Sequence, residues 1–527
     1  MPRLTIDGRQ VEVEEGATLL DAARKLGLDV PALCHRDGAP PSTSCFVCVM
    51  KVQGRNSLVP SCATVAEDGM VVESESQEVH GARKAALELL LSDHLGDCVG
   101  PCHALCPAHM NIPLMIRQIA AGELDEAIAT VRARIALPAV LGRICPAPCE
   151  KGCRRGEQDG PVAICLLKRY VGDAHLAADP PALPAREPAT GKAVAIAGAG
   201  PAGLAAAWAL LLRGHAVTVF DEREEPGGML RYGVPRERLP EEVLDAEIAI
   251  IERLGAQFRS GTRVGRDLSL DELRHDFDAV LLAIGEADEG DAESLGVQSS
   301  AHGIEADRQT YRASLERVFA AGGAIRPQRM AVRALAQGRD AAAAIHQLLS
   351  GQEVAGPPPL FTTRIGRLKE GEMAAFLAAG ASDAPREGEP SGPGGGFTDA
   401  EARREALRCL RCDCRKPLSC KLRRYAQAYG ASPNRFAGER RAFEQYSHHP
   451  SVVYEPGKCI ACGLCIRVAQ AAGEELGLSF VGRGFRVRVR VPFGRSLEEG
   501  LRRAARQAAA ACPTGALALR DAAELDR

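Results

Sequence analysis

The order of apolar and polar positions divides the 527-residue chain into blocks of different period. Residues 1–76 read as short strands and turns around one helical stretch, Thr18–Leu26, and residues 77–178 read as helices. Between 192 and 355, apolar strand-like runs alternate with helical stretches. The first of these runs is KAVAIAGAGPAGLAAAWALLLRGHAVTVFD over Lys192–Asp221, an apolar strand, a glycine turn, an Ala- and Leu-rich helix and a second strand. Residues 399–447 then form a short Cys-rich helical segment, and residues 448–527 a terminal module with strands around Phe485–Val491. Pro- and Gly-rich stretches at Asp179–Gly191 and over residues 356–398 read as linkers. No fixed-period repeat is present. No window reaches the ~18 to 20 uncharged apolar residues of a membrane span, and the start, MPRLTIDGRQVEVEEG, has no signal-peptide core. The pattern predicts a cytoplasmic protein without a membrane span.

Composition adds exclusions. The chain is 46% hydrophobic and 25% charged, a globular balance long enough for three or four domains. Its net charge of −3 and only 4% aromatic residues supply neither the field nor the stacking surfaces that nucleic acid needs.

The nineteen cysteines change the picture most. An odd number in a reducing compartment is not a fully paired disulfide set, so metal ligation is the better reading. They fall into four groups along the chain, with none left over.

Cys34, Cys45, Cys48 and Cys62 have the spacing C-x10-C-x2-C-x13-C. One close pair and two outlying thiolates can wrap a [2Fe–2S] rhomb, in which each iron needs two. A zinc knuckle, the alternative, usually has two close pairs. The stretch resembles the N-terminal domain of the large iron–sulfur subunit of respiratory complex I and of related NAD-linked hydrogenases and formate dehydrogenases.

The second group lies in LLLSDHLGDCVGPCHALCPAHMNIP and LGRICPAPCEKGCRRGEQDGPVAIC. With the segments that follow, it resembles the glutamate synthase small subunit and dihydropyrimidine dehydrogenase, which hold two [4Fe–4S] clusters between helices. The resemblance implies one cluster on Cys106, Cys145, Cys149 and Cys153. This chain has His94 where the family starts with Cys, and Cys165 to Lys168 where the family closes with a carboxylate or amide. His94, Cys98, Cys102 and Cys165 are therefore expected to hold the other cluster. The alternative is that His94 caps or packs a helix and that His103, or no histidine, ligates. Nineteen cysteines and one histidine make five sets of four.

The glycine turn has the pattern Gly198-x-Gly200-x-x-Gly203, with Pro201 and Ala202 inside it. It permits close approach to a pyrophosphate at a helix N-terminus, and Asp221 is placed for a ribose hydroxyl. The glutamate synthase resemblance extends over EEPGGMLRYGVPRERLPEEVLDAEI, FDAVLLAIG and VFAAGGAIRPQRM. It implies FAD, with Gly227, Gly228, Met229 and Leu230 along the flavin and Ala321, Gly322 and Gly323 near the pyrophosphate and ribityl chain. Relatives commonly have Asp at the position of Gly323. They also insert a second Rossmann unit for NAD(P)H, yet only 32 residues separate Gly285 from Val318 here. A βαβ unit alone takes ~30, and no glycine fingerprint is seen in the stretch. The nicotinamide domain is expected to be missing.

Cys409-x2-Cys412-x-Cys414-x5-Cys420 suits a [4Fe–4S] cube or a tetrahedral zinc. Cys459-x2-Cys462-x2-Cys465, followed by Cys512-Pro513, is a ferredoxin-like signature for one [4Fe–4S] cluster.

The sequence therefore predicts a multidomain α/β and α+β protein. Its parts are a β-grasp-like [2Fe–2S] domain (1–76), a helical two-cluster domain (77–178), a Rossmann-like FAD domain (192–355), a linker (356–398), a Cys-rich cluster segment (399–447) and a ferredoxin-like domain (448–527). The expected function is an electron-transfer subunit of a larger oxidoreductase, with FAD, one [2Fe–2S] and up to four [4Fe–4S] clusters. Its expected partners are other oxidoreductase subunits or a ferredoxin. The rivals are an NAD(P)H-dependent reductase like the glutamate synthase small subunit, a non-catalytic electron-transfer scaffold and a zinc-rich interaction protein.

Overall fold

The computed structural model describes residues 1–436 and 438–520. Residue 437 of the expected 399–447 segment and residues 521–527 of the expected 448–527 module lie outside the described residues. The chain divides into two compact units, Met1–Gly100 with Phe361–Ala381 and Leu410–Arg527, and Pro101–Leu360 with Ser382–Cys409.

The first unit begins with five strands, β1 (Arg3–Ile6), β2 (Arg9–Glu12), β3 (Val49–Val52), β4 (Val59–Pro60) and β5 (Val71–Glu73). They form a mixed sheet in the order β2-β1-β5-β3-β4. Its central pair, β1 and β5, is parallel. Helix α1 (Leu19–Lys25) starts at a capping box, in which Thr18 and Asp21 satisfy each other's backbone donors. Seven residues are too few to hold a helix in water, so its stability comes from packing. Leu19, Leu20, Ala22 and Ala23 bury against Leu4, Ile6, Met50 and Val72. Each fully buried Leu or Ile contributes about 1.5–3 kcal/mol. Cys48 and Cys62 belong to the same core, beside β3 and β4.

Helix α2 (Gln77–Ser92) follows. Its buried Arg83 donates from Nε to Val49 O and from Nη1 to Glu75 and Tyr429 Oη, which offsets an otherwise costly buried charge.

The second unit opens with helices α3 (Pro101–Leu105), α4 (Ile112–Ala121), α5 (Leu124–Arg132), α6 (Pro138–Ile144), α7 (Pro148–Lys151) and α8 (Ile164–Leu176). Strands β6 (Ala193–Ala197), β7 (Ala216–Phe220), β8 (Ala256–Arg259) and β9 (Ala279–Leu282) come next, with helix α9 (Pro201–Leu212) between β6 and β7. A short hairpin, β10 (Ser299–Ser300) and β11 (Gly303–Ile304), precedes β12 (Val318–Ala320). The sheet is parallel throughout in the order β12-β9-β6-β7-β8. Central strands of such a sheet are covered on both faces, which is why AVAIA and AVLL run apolar without alternation.

Helices and sheet share one core. Trp208 Nε1 donates to Arg132 O at 3.2 Å, and Arg132 pairs at 2.8 Å with the fully buried Glu247.

Two expectations need correction. Residues 356–398 are not a plain linker. Within the first unit, Phe376 stacks on Phe443 with ring centroids 4.4 Å apart, and Glu372 pairs with Arg440 at 2.7 Å. The apolar positions that order this stretch are too few to give a period. In the terminal module the strand is Arg488–Arg490, paired with Ser479–Val481, and Gly484–Arg486 is a 3-10 turn. No helix among the described residues is long and apolar enough to cross a membrane.

Candidate cofactor sites

The N-terminal thiols form two pairs. The free thiols Cys34 and Cys45 hydrogen-bond to each other, as do Cys48 and Cys62, which pushes Cys34 and Cys48 down and their partners up. All four are buried. Two dithiol pairs match a rhomb whose two irons take two thiolates each. The loop between Cys34 and Cys48 bends through left-handed Thr43 (φ 50°) and Phe46 (φ 54°), a conformation that costs non-glycine residues roughly 1–2 kcal/mol each.

In the second unit, Cys106 follows α3, Cys145 caps the C-terminus of α6, Cys149 lies on α7 and Cys165 on α8. Cys165 hydrogen-bonds to both Cys145 and Cys149. One turn further along α8, Lys168 is 4% exposed, with Nζ 3.8 Å from Cys165 Sγ. Burial works to discharge this ammonium, and the charges of Cys165, Cys145, Cys149 and Cys106 outweigh it and hold its pKa above the usual lysine value. A buried cation is tolerated only beside compensating negative charge, so this set is built to be anionic.

Cys165, expected with His94, Cys98 and Cys102, is thus a thiol that meets Cys145 and Cys149, while Cys153 starts the turn Arg154–Glu157 and packs against the same core as Cys145. His94 and Cys98 belong to the first unit. The histidine is held neutral, first by burial and then by Lys458, with its pKa lowered to about 3.

Cys459, Cys462, Cys465 and Cys512 line one cavity with Ile460 and Gly463. Burial pushes Cys459 up to about 11 and Cys462 up to about 12. Left-handed Ala461 and Gly463 wrap the first ligand run around the cavity.

The remaining expected set spans the boundary between the units in sequence. Cys409 belongs to the second unit, at the margin of its core, whereas Cys412, Cys414 and Cys420 belong to the first. Among the described residues no three His, Cys, Asp or Glu groups converge as a lone metal ion would require.

The dinucleotide turn joins β6 to α9. Gly198 has φ 107°, and a Cβ on Gly203 would lie 1.9 Å from Gly198 O. A Cβ on Gly228 would lie 2.7 Å from Gly200 Cα, so the second glycine pair packs onto the first turn. Gly322 approaches Ala202 in the same way, at 2.8 Å. Three loops thus meet beyond the carboxyl ends of the parallel strands, where such sheets bind nucleotides. Leu230 is buried and Met229 is 67% exposed. A Cβ on Gly323 would come within 2.9 Å of Gly285 C, which leaves no room for an aspartate there.

Asp221 does more than the motif implies. It accepts from Ala199 N at 2.6 Å and Arg223 N at 2.8 Å, pinning the turn, and retains lone pairs for a further donor. Residues 286–317 hold a short helix, Glu289–Ser294, and the β10–β11 hairpin, not a second βαβ unit.

Sequence reasoning missed Lys168 as a counter-charge, because a cation was weighed only as a ligand. It also missed Arg238, whose Nη2 donates at 3.1 Å to the carbonyl of Ile144, next to Cys145.

These sites define a chain of iron–sulfur and nucleotide-binding modules. Three family models match it: a 2Fe-2S iron-sulfur cluster binding domain over residues 2–77, dihydropyrimidine dehydrogenase domain II with a 4Fe-4S cluster over 93–179, and an NAD(P)-binding Rossmann-like domain over 196–259. The chain is 45% identical over 206 residues to the NADP(+)-dependent formate dehydrogenase subunit beta of Moorella thermoacetica, 35% of this chain and 29% of that one. It is 45% identical over 190 residues to the NADPH-Fe(3+) oxidoreductase subunit beta of Geobacter sulfurreducens, 35% of this chain and 28% of that one. It is 41% identical over 192 residues to the glutamate synthase [NADPH] small chain of Mycobacterium tuberculosis, 36% of this chain and 39% of that one. The resemblance to the glutamate synthase and dihydropyrimidine dehydrogenase module holds, and the chain spans less than half the length of these relatives.

Proposed function

We propose that the chain is an iron–sulfur flavoprotein that carries electrons within a larger oxidoreductase. In this reading residues 1–76 are a β-grasp-like [2Fe–2S] domain and the terminal module is ferredoxin-like, with further oxidoreductase subunits or a ferredoxin as partners. Cys34, Cys45, Cys48 and Cys62 hold the [2Fe–2S] group. Cys106, Cys145, Cys149 and Cys165 hold one [4Fe–4S] group, and Cys459, Cys462, Cys465 and Cys512 another. FAD supplies the exchange between two-electron donors and one-electron centres.

The observation that carries this reading is the bond from Arg238 to the carbonyl of Ile144. It ties the segment following Gly227 and Gly228 to Ile144, the residue before Cys145. The nucleotide loops and the thiol set around Lys168 lie in the same unit and share its core, which supports this reading.

Cys165→Ala should remove or convert the cluster of Cys106, Cys145 and Cys149, and Cys153→Ala should leave it intact. Electron paramagnetic resonance of the reduced variants checks this, and the reverse result would restore Cys153 as the ligand.

The second reading, an NAD(P)H-dependent reductase, is favoured by the match to an NAD(P)-binding model over 196–259. Hydride transfer needs a nicotinamide ring held against the flavin, and residues 286–317 offer no second domain to hold it. Anaerobic stopped-flow mixing of the full chain with NADH or NADPH should therefore give slow, non-saturating flavin reduction. Rapid, saturable reduction would establish the reductase reading instead.

A further inference from the structure

We propose that His94, Cys98, Cys414 and Cys420 form a single [4Fe–4S] site, a ligand set gathered from distant segments of the first unit. The proposal rests on the iron–sulfur reading above.

Cys98, Cys414 and Cys420 are buried to 7%, 7% and 8% exposure. The chain is pinned to bring them together. Cys414 N donates to Cys98 O at 3.4 Å, Leu95 N donates to Gly457 O at 2.7 Å and Lys421 N donates to Pro513 O at 2.9 Å. Thr363 Oγ1 lies 3.2 Å from Cys98 Sγ and donates to Gly96 O at 2.6 Å, fixing the turn between His94 and Cys98. Two glycines make the space. A Cβ on Gly515 would lie 2.3 Å from Cys414 Sγ, and one on Gly96 would lie 2.3 Å from the Lys458 side chain.

Lys458 is 1% exposed, pairs with Glu455, and its charge acts on both Cys414 and His94. It thus stands toward this set as Lys168 stands toward the other. Cys420 in turn feels the charges of Cys414 and Cys98. Nδ1 of His94 is buried without a hydrogen-bond partner among the described residues. A buried ring nitrogen left unbonded is costly, and a metal ligand role would satisfy it. The set has three thiolates and one imidazole. Neutral imidazole in place of thiolate makes the site less anionic, so its potential should lie above that of an all-cysteine site.

The test is the iron content of anaerobically prepared full chain carrying Cys98→Ser, Cys414→Ser and both substitutions. One shared site predicts a loss of about four iron atoms in each single variant and the same loss, about four, in the double variant. A loss of about eight in the double variant would put the two cysteines in separate clusters and overturn the proposal. Wild-type protein without iron would instead sink the iron–sulfur reading itself. If the serine variants fail to fold, His94→Cys decides. It should keep full iron, lower the potential of one cluster only, and abolish nitrogen hyperfine coupling in that cluster's reduced signal. Absence of such coupling in the wild type would overturn the set.

Discussion

Gly203→Val is expected to abolish retention of the dinucleotide while sparing the [2Fe–2S] signal of the first unit. A Cβ at this position would lie 1.9 Å from Gly198 O, well inside contact distance, and valine adds two further carbons there. Gly198 has no freedom to retreat, because a Cβ on it would lie 2.2 Å from Ala283 O in the loop after β9. The turn would have to open, and with it the approach of backbone to pyrophosphate at the start of α9. Flavin per chain after anaerobic gel filtration should fall from about one to near zero, a loss set by the close backbone approach that this turn requires. Retention of stoichiometric flavin would show that the dinucleotide does not sit on this turn.

Lys168→Met is expected to lower the potential of the cluster held by Cys106, Cys145, Cys149 and Cys165 by roughly 100 mV. The size follows from a unit charge about 6 Å away at an effective dielectric near 20, about 3 kcal/mol, with about 59 mV per factor of ten for one electron. The sign follows because reduction adds negative charge, which the buried ammonium stabilises more than it stabilises the oxidised form. Methionine keeps the volume and removes only the charge. Potentiometric titration followed by electron paramagnetic resonance checks it, and Lys168→Arg should restore most of the shift. In a chain with no anion at this place the same change would instead stabilise the fold, since a lone buried ammonium is costly.

Much of this was legible in the sequence, and the rest was hidden for physical reasons. The parallel sheet was plain because its strands are apolar without alternation and its glycine turn has a fixed geometry. Helix α1 was plain because Thr18 and Asp21 cap it. The pairing of the N-terminal thiols and the cavity shared by the Cys459 group agree with local spacing because each lies within one module.

The meeting of Cys165 with Cys145 and Cys149 was not legible, because order along the chain does not reveal which thiol the fold of α8 turns toward α6 and α7. The approach of Cys414 to Cys98 was not legible, because spacing ranks neighbours in sequence above Cys98, which only tertiary bonds such as Cys414 N to Cys98 O bring near. The stretch around Phe376 read as linker because its order comes from a partner, Phe443, outside any local window. Lys168 and Lys458 could not be read at all, since a lysine's burial is a property of the folded chain.

The central claim, that one chain carries four iron–sulfur sites and a flavin, is tested most directly by iron, zinc and flavin analysis of the anaerobically prepared protein. One [2Fe–2S] and three [4Fe–4S] sites predict about 14 iron atoms, one FAD and no stoichiometric zinc per chain. Iron near two, or zinc in place of iron at most of the thiol sets, would contradict it.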